Sequence, residues 1–194
     1  MGHEYLHVSW QKYHALARKL ASAILRDPKN FSEIIAISRG GLTLGHMLSD
    51  LLMKPISVFS IQSYSDIRKQ GEVEITDPYT KPITGQHILL VDDVSDTGKT
   101  FIRARKHLDA LHPASITTVS MFFKLHSAFR PDYLAQTTDR WIIFPYEPTE
   151  MITLITRKLE QEGKSPAYIL KFLKDIRFDD QQIAFVRKHY PSHA

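Results

Sequence analysis

Residues 91–100 read Val-Asp-Asp-Val-Ser-Asp-Thr-Gly-Lys-Thr and follow directly on the apolar run His-Ile-Leu-Leu at 87–90. Asp92, Asp93 and Asp96 place three carboxylates within five positions. Such crowding is unfavourable unless a cation or a cationic substrate offsets the repulsion. The Thr-Gly-Lys-Thr turn behind them offers backbone N–H groups, hydroxyls and an ammonium to an anion. A loop that suits both a divalent metal and a phosphate indicates a sugar-phosphate or nucleotide substrate.

This turn differs from the phosphate-binding loop of nucleoside triphosphatases. That loop has a glycine five positions before its Gly-Lys pair, and here Asp93 occupies the position. A carboxylate there would face the phosphate that the loop backbone cradles, and like charges repel. The sequence therefore excludes that class of loop.

The composition is that of a globular protein with a small anionic ligand. The chain has 194 residues and a net charge of +4, which suits one domain with an appendage and a phosphorylated substrate. It has no cysteine, so disulfides and thiolate metal sites are excluded. Dense Lys/Arg runs, apolar stretches of membrane length and a signal-peptide core are missing from the sequence. We therefore expect a cytoplasmic protein with no membrane span and no nucleic-acid partner.

Short apolar runs alternate with helical patterns upstream of Lys124. The runs predict strands at 34–37, 56–61, 87–91 and 115–123. Strands alternating with helices predict an α/β fold: an open, mostly parallel twisted sheet flanked by helices. Ligands of such sheets bind outside the carboxyl ends of the strands. The loops at 38–41 and 92–100 both follow strands, so we expect them at one rim.

A strand, an acidic pair and Asp-Thr-Gly-Lys-Thr together resemble the phosphoribosyl-pyrophosphate motif of the type I phosphoribosyltransferases. The resemblance covers about residues 5–147 and is closest to the 6-oxopurine members, the xanthine-guanine and hypoxanthine-guanine enzymes. It implies a phosphoribosyltransferase domain over 1–147, with a small hood at about 133–147. Beyond it, three helical patterns with Ser165 and Asp179 as N-caps predict a helical C-terminal extension over 148–194 for packing or assembly.

The resemblance assigns roles within the acidic turn. By the family's pattern the 5'-phosphate of phosphoribosyl pyrophosphate is bound by Asp96, Thr97, Gly98, Lys99 and Thr100. Asp92 and Asp93 are expected to bind the ribose hydroxyls and Mg²⁺, which prefers carboxylate, water and substrate oxygens. Asp96 is the candidate catalytic residue, because it is expected to accept the proton that the purine loses. The alternative is that Asp96 only caps the following helix.

Two further loops resemble parts of the family's site. The pyrophosphate loop corresponds to Ser38, Arg39, Gly40 and Gly41, and the family often has a cis non-proline peptide where Ser38–Arg39 falls. Its glycines allow close backbone approach to an anion, and Arg39 can pair with phosphate oxygens. The flexible catalytic loop would begin at Ser63 and Tyr64 and shield the ribose from water on closure. The alternative for 62–86 is an ordinary disordered loop.

Purine recognition is implied for three residues. In similar enzymes a lysine at the position of Lys124 donates to O6 of the base, which selects 6-oxo over 6-amino purines because an ammonium only donates. Trp141 would stack on the base, and the Ile142 carbonyl would accept from its N–H groups. The alternative is a core strand in which Trp141 simply packs.

The sequence thus predicts a Mg²⁺-dependent purine phosphoribosyltransferase. It would transfer the 5-phosphoribosyl group from phosphoribosyl pyrophosphate to N9 of guanine, xanthine or hypoxanthine, as in purine salvage. We expect a homo-oligomer, a dimer or a tetramer. Two alternatives stay open at this point: a non-enzymatic sensor of phosphoribosyl pyrophosphate or nucleotide with nucleic-acid contacts, and a phosphoribosyltransferase for another base.

Overall fold

The computed structural model of the chain describes residues 4–63 and 73–190. The elements, in chain order, are β1 (Tyr5–His7), α1 (Trp10–Ile24), β2 (Glu33–Ser38), α2 (Gly41–Leu52), β3 (Ile56–Ser63), β4 (Val73–Asp77), β5 (His87–Ser95), α3 (Lys99–Asp109), β6 (Ser115–Phe123), β7 (Tyr133–Thr137), β8 (Trp141–Ile143), α4 (Pro148–Gln161), α5 (Pro166–Asp175) and α6 (Asp180–His189). The described chain forms two compact units. We call residues 14–139 the sheet unit, and residues 1–13 with 140–194 the terminal unit.

The sheet unit contains a six-stranded sheet in the order β4-β3-β2-β5-β6-β7. All neighbours are parallel except β4, which runs antiparallel to β3 at one edge. The central strands are apolar along most of their length because helices cover both faces, as parallel sheets require. The predicted open, mostly parallel sheet with flanking helices is confirmed.

Successive side chains of β2 show that helices cover opposite faces of this sheet. Ala36 faces α2, where a Cβ on Gly45 would lie 2.8 Å from the Ala36 Cβ. Its neighbours Ile35 and Ile37 belong instead to the core cluster that includes Phe101 of α3. The chain leaves β2 toward β3 and leaves β5 toward β6, in opposite directions. The adjacent ends of β2 and β5 therefore form the switch point at which ligands of α/β sheets bind.

Strand β5 extends beyond the predicted end at Val91 to Ser95. The parallel ladder to β6 continues through the pairs Asp92↔Ser120, Val94↔Phe122 and Ser95↔Phe123. The acidic pair therefore lies within a strand rather than after it. Backbone pairing fixes both carboxylates on the sheet, which a flexible turn would not do.

The terminal unit combines a two-stranded parallel pair, β1 with β8, and helices α4–α6. The predicted N-caps are confirmed: Ser165 Oγ accepts from Tyr168 N over 3.2 Å, and Asp179 forms a capping box with Gln182. Apolar faces of the three helices meet in one buried cluster that includes Ile155, Leu173 and Ile183. None of the helices in the described residues is long and apolar enough to cross a membrane.

The compact units divide the chain at other points than the sequence-based ranges 1–147 and 148–194. Residues 133–147, expected as a hood, fall in two places: β7 is an edge strand of the main sheet, while β8 pairs with β1 in the terminal unit. Most side chains of β7 are only partly buried, as expected of an edge strand. The domain division itself stays a prediction.

Candidate active site

The loops that follow β2 and β5 share one cleft of about 340 Å³ at the switch point of the sheet. Its lining residues are Ile37, Ser38, Arg39, Gly40, Ile61, Asp92, Asp93, Val94, Ser95, Asp96, Thr97, Gly98, Thr100 and Phe101. The structure thus brings together most residues of the predicted phosphate, pyrophosphate and acidic segments. Gly41 and Lys99 belong to the same two loops but do not line the cleft.

The first loop approaches the acidic strand so closely that side chains are excluded. A Cβ on Gly40 would lie 2.6 Å from Oδ1 of Asp93, and one on Gly41 would overlap the Val91 carbonyl oxygen. The Ser38–Arg39 peptide is cis, as the resemblance implied. Gly41 is therefore required by contact with backbone, whereas a side chain at Gly40 would displace the Asp93 carboxylate.

The acidic pair is buried, with Asp92 7% and Asp93 8% exposed. Burial raises the pKa of the Asp92 carboxyl well above its usual range, and the adjacent Asp93 carboxylate raises it further. The Asp93 N–H opposes this rise by donating to Oδ1 of Asp92 over 3.0 Å. Two desolvated carboxylates side by side form a site that a cation or several hydroxyl donors would stabilise.

This pair fits Mg²⁺ only if the ion takes further ligands from water or substrate. In the described parts of the chain no group of three His, Cys, Asp or Glu residues could hold a metal ion. Mg²⁺ is commonly bound by one or two carboxylates together with waters and substrate phosphates. The donor set therefore suits an ion that arrives with a phosphorylated substrate.

The second loop turns into α3 through Gly98, whose φ of 82° lies in the left-handed region. A Cβ at this glycine would lie 2.5 Å from Phe129 N and 2.8 Å from Ser127 Oγ. Thr97 Oγ1 accepts from Lys99 N over 3.4 Å. The N–H groups at the beginning of a helix are not used by the helix's own carbonyls, which makes this turn a suitable site for an anion.

A loop at 124–129, after β6, supports this turn. Lys124 N donates to the Ser95 carbonyl over 3.1 Å, and Ala128 N donates to the Thr97 carbonyl over 3.0 Å. Ser95 Oγ donates to the Phe129 carbonyl over 2.7 Å. Lys124, the predicted O6 donor, is buried in this loop. The residue assigned to the base and the residues assigned to the phosphate thus belong to one hydrogen-bonded assembly.

Asp96 is exposed on the turn, and its Oδ1 is 3.1 Å from Nε2 of His126. Sequence reasoning did not identify His126. The strand register would have identified this histidine as a neighbour of Asp96. Parallel pairing of β5 with β6 places the residues after Ser95 beside those after Phe123. A histidine two positions beyond the predicted purine lysine is therefore a neighbour of the candidate catalytic residue.

Trp141 and Ile142 lie in β8 of the terminal unit, where they pair with Tyr5 and Leu6. Trp141 is 60% exposed and Ile142 only 7%. The alternative interpretation of Trp141 as a core residue is therefore wrong, because most of its side chain is available to solvent or a ligand. Ser63 ends β3, and Tyr64 lies outside the described residues.

Comparison with known proteins supports the resemblance to phosphoribosyltransferases. The phosphoribosyl transferase domain family matches residues 9–150. A xanthine-guanine phosphoribosyltransferase of Idiomarina loihiensis is 30% identical over 141 residues, which are 72% of this chain and 85% of the relative. A purine phosphoribosyltransferase structure from Pyrococcus horikoshii superposes with a TM-score of 0.67 at 28% identity, covering 74% of this chain and 95% of that one.

A xanthine-guanine-hypoxanthine phosphoribosyltransferase structure from Helicobacter pylori superposes with a TM-score of 0.65 at 25% identity. The match covers 74% of this chain and 94% of the Helicobacter pylori chain. Nearly the whole length of these two structures is thus accounted for, while about a quarter of this chain lies outside the match. The family match ends at residue 150, near the beginning of α4.

Proposed function

The chain belongs to the phosphoribosyltransferase family, and from this premise we propose that it transfers a 5-phosphoribosyl group to a 6-oxopurine. The products are a nucleoside monophosphate and pyrophosphate, as in purine salvage. One observation carries the proposal: the loops at 38–41 and 92–100 line one cleft at the switch point of the sheet. The relatives named for purines support the choice of base.

We assign phosphoribosyl pyrophosphate to this cleft because its hydrogen-bond donors suit phosphates and its carboxylates suit ribose hydroxyls. The 5'-phosphate would bind the turn of residues 96–100, which offers N–H groups at the beginning of α3 and the Thr97 and Thr100 hydroxyls. The buried carboxylates of Asp92 and Asp93 would accept from the ribose 2'- and 3'-hydroxyls. Hydrogen bonds from these hydroxyls would offset part of the cost of burying the pair.

The pyrophosphate group is assigned to the loop of Ser38, Arg39, Gly40 and Gly41. Its backbone can approach phosphate oxygens closely because neither glycine carries a side chain. Arg39 would add charge-assisted hydrogen bonds. Asp92 and Asp93 would hold Mg²⁺ in concert with pyrophosphate and ribose oxygens, and the ion would neutralise charge on the departing pyrophosphate.

The transfer itself exchanges one bond at C1' of the ribose. The N9 lone pair forms the new bond to C1', and the electron pair of the breaking C1'–O bond leaves with pyrophosphate, with inversion at C1'. The purine must lose one proton, and Asp96 is proposed as its acceptor.

Purine recognition is proposed from the motifs. The Lys124 ammonium would donate to O6, Trp141 would stack on the base, and the Ile142 carbonyl would accept from the ring or exocyclic N–H groups. The exposed ring of Trp141 supports its assignment, because an aromatic side chain so accessible has area to offer a planar ligand. We further propose that the protein is cytoplasmic. We also propose that it forms a homo-oligomer, a dimer or tetramer, and light scattering after gel filtration would measure its mass.

The direct test is nucleotide formation from free bases. The protein is incubated with phosphoribosyl pyrophosphate and Mg²⁺ against guanine, xanthine, hypoxanthine, adenine, uracil and orotate. We expect nucleoside monophosphate and pyrophosphate in equal amounts with one or more 6-oxopurines, and loss of the reaction on chelation of Mg²⁺. Turnover of pyrimidines alone would contradict the assigned base, and no turnover would contradict the activity.

A further inference from the structure

We propose that His126 is a positioning residue for Asp96: its Nε2–H fixes the carboxylate so that the other oxygen receives the purine proton. The inference deepens the proposed function and rests on it. Neither the acidic motif nor the purine motif contains His126, which lies in the loop after β6.

The direction of the hydrogen bond follows from chemistry. Nε2 of His126 is 3.1 Å from Oδ1 of Asp96. An ionised carboxylate only accepts hydrogen bonds, so Nε2 carries the proton and donates. The Oδ1 atom is then engaged, while Oδ2 is the oxygen left to face a substrate. A proton acceptor with one defined oxygen toward the base is what general-base catalysis requires.

Backbone hydrogen bonds on both sides hold this pair together. Asp96 lies between Ser95 and Thr97, whose carbonyls accept from Lys124 N over 3.1 Å and from Ala128 N over 3.0 Å. His126 is the central residue between those two donors. The two chain segments are thus fastened immediately before and after the side-chain contact, which restricts where either side chain can go.

Side-chain contacts make the supporting loop stiff. Ser127, next to His126, lies with its Oγ 3.0 Å from Ser95 Oγ and donates to the Phe129 carbonyl over 3.1 Å. The Phe129 ring stacks on Phe101 of α3 at a centroid distance of 5.3 Å. His126 is therefore presented from a fixed frame rather than from a free loop.

Positioning is needed because the Asp96 carboxylate is exposed. Its side chain is 59% exposed and that of His126 is 62% exposed, so neighbouring side chains restrict the two rotamers only in part. Without a partner, an exposed aspartate samples several staggered conformations. A single charge-assisted hydrogen bond selects one of them before the purine arrives, and small misplacements of a catalytic group reduce turnover strongly.

The test compares His126→Ala with His126→Gln in the full-length chain. The Gln amide N–H can occupy the place of Nε2–H and donate to Asp96, whereas Ala cannot. We expect kcat to fall about tenfold in His126→Ala and to return to within about threefold of wild type in His126→Gln. The KM for phosphoribosyl pyrophosphate should change by less than about twofold in both. His14→Ala, at an exposed histidine on α1, is the matched control.

A double-mutant cycle separates action through Asp96 from a general effect on the loop. In the Asp96→Asn background, His126→Ala should lower kcat by less than about twofold, because its target is already lost. Tm values within a few degrees of wild type would show that the fold persists.

Each outcome decides a different question. Unchanged kcat in His126→Ala, equal losses in the Ala and Gln variants, or full additivity with Asp96→Asn would overturn the role of His126 while leaving the phosphoribosyltransferase activity in place. Absence of nucleotide formation by the wild-type protein with every base would instead overturn the proposed function, and this inference with it.

Discussion

The sheet unit and the terminal unit are built by different rules. The terminal unit largely follows local preferences: α5 and α6 begin at Ser165 and Asp179 caps, and the apolar faces of its three helices meet in one cluster. The sheet unit departs from such preferences at the cleft, where it buries adjacent carboxylates and places Gly98 against backbone atoms. Departures of this kind concentrate at functional sites. The difference supports the proposed binding of phosphoribosyl pyrophosphate in the sheet unit.

The largest expected effect concerns the candidate base in the sheet unit. Asp96→Asn should lower kcat by about a thousandfold, within the range of general acid–base catalysis, because the amide cannot take up the purine proton. Binding of phosphoribosyl pyrophosphate, measured by calorimetry, should change by less than about threefold. Asp109→Asn on the surface of α3 is the control. Retention of wild-type turnover by Asp96→Asn would remove Asp96 from its role.

The second comparison uses two glycines with similar backbone angles. Gly98 has φ +82° and tight neighbours, whereas Gly163 in the terminal unit has φ +72° and would carry a Cβ with no neighbour within 4 Å. Gly163→Ala should lower the free energy of unfolding by about 1 kcal/mol, the cost of the left-handed region alone. Gly98→Ala should lower it by about 3 kcal/mol, because overpacking adds to that cost.

Urea unfolding measures both losses. Binding of phosphoribosyl pyrophosphate gives a second readout, since the Gly98 turn is assigned to the 5'-phosphate and Gly163 is not. Equal losses of stability in the two variants would show that contact with Phe129 is unimportant, and that the turn is no more constrained than an open helix end.

A third prediction concerns pH and the buried pair. Because the pKa of Asp92 is raised in the folded protein, the folded chain holds a proton that the unfolded chain has released. Stability is therefore lost as pH rises from about 4 through the folded pKa. Asn at this position releases no proton. The stability of Asp92→Asn relative to wild type should therefore increase as pH rises over this range, because only the wild type loses the stabilising proton.

Urea titrations of both proteins at about pH 4 and about pH 8, without ligand, measure this difference. Asp109→Asn reports the effect of removing an exposed carboxylate. A relative stability that stays constant or falls with pH would mean that the folded structure accommodates the Asp92 charge without penalty. Substrate and Mg²⁺ should reverse the trend in wild type by supplying the partners that the pair needs.

The smallest expected effect lies in the terminal unit. Asp179→Ala removes the capping box of α6 and should lower the free energy of unfolding by about 1 kcal/mol with turnover unchanged. Its neighbour Asp180 makes an exposed ion pair with Lys174 over 2.7 Å. Asp180→Ala should therefore change stability by less than about 0.5 kcal/mol. If the fully folded Asp179→Ala variant lost turnover, the helices of the terminal unit would have to contribute to catalysis.

The sequence predicted the sheet and most of the cleft because both have local signatures. Buried strands appear as apolar runs, and the residues of the acidic turn lie consecutively in the chain. Two cleft segments that are distant in sequence could be placed together because each lies at the carboxyl end of a strand. The cis Ser38–Arg39 peptide was expected only through the family resemblance, since no property of those two residues requires it.

What escaped prediction depends on contacts between distant segments. His126 belongs to no recognisable motif. Its proximity to Asp96 follows only from the strand register, which places the two residues side by side. β5 was predicted four residues too short because Asp92 and Asp93 are poor strand formers, yet pairing with β6 overrides that preference. The hood at about 133–147 was expected from the family resemblance alone, which does not show that β7 pairs with β6 and β8 with β1. Tyr64 lies outside the described residues.

The backbone links between the turn at 95–97 and the loop at 124–128 have a consequence for protein engineering. They join the segment assigned to phosphate binding to the segment assigned to base recognition. A substitution in one segment should therefore also change the position of the other. Leu125, with 68% of its side chain exposed, offers a place where a library for altered nucleobase preference can be varied freely. Ser127 does not, because its Oγ contacts Ser95 Oγ and donates to the Phe129 carbonyl, so replacing it would disturb the turn assigned to the phosphate as well.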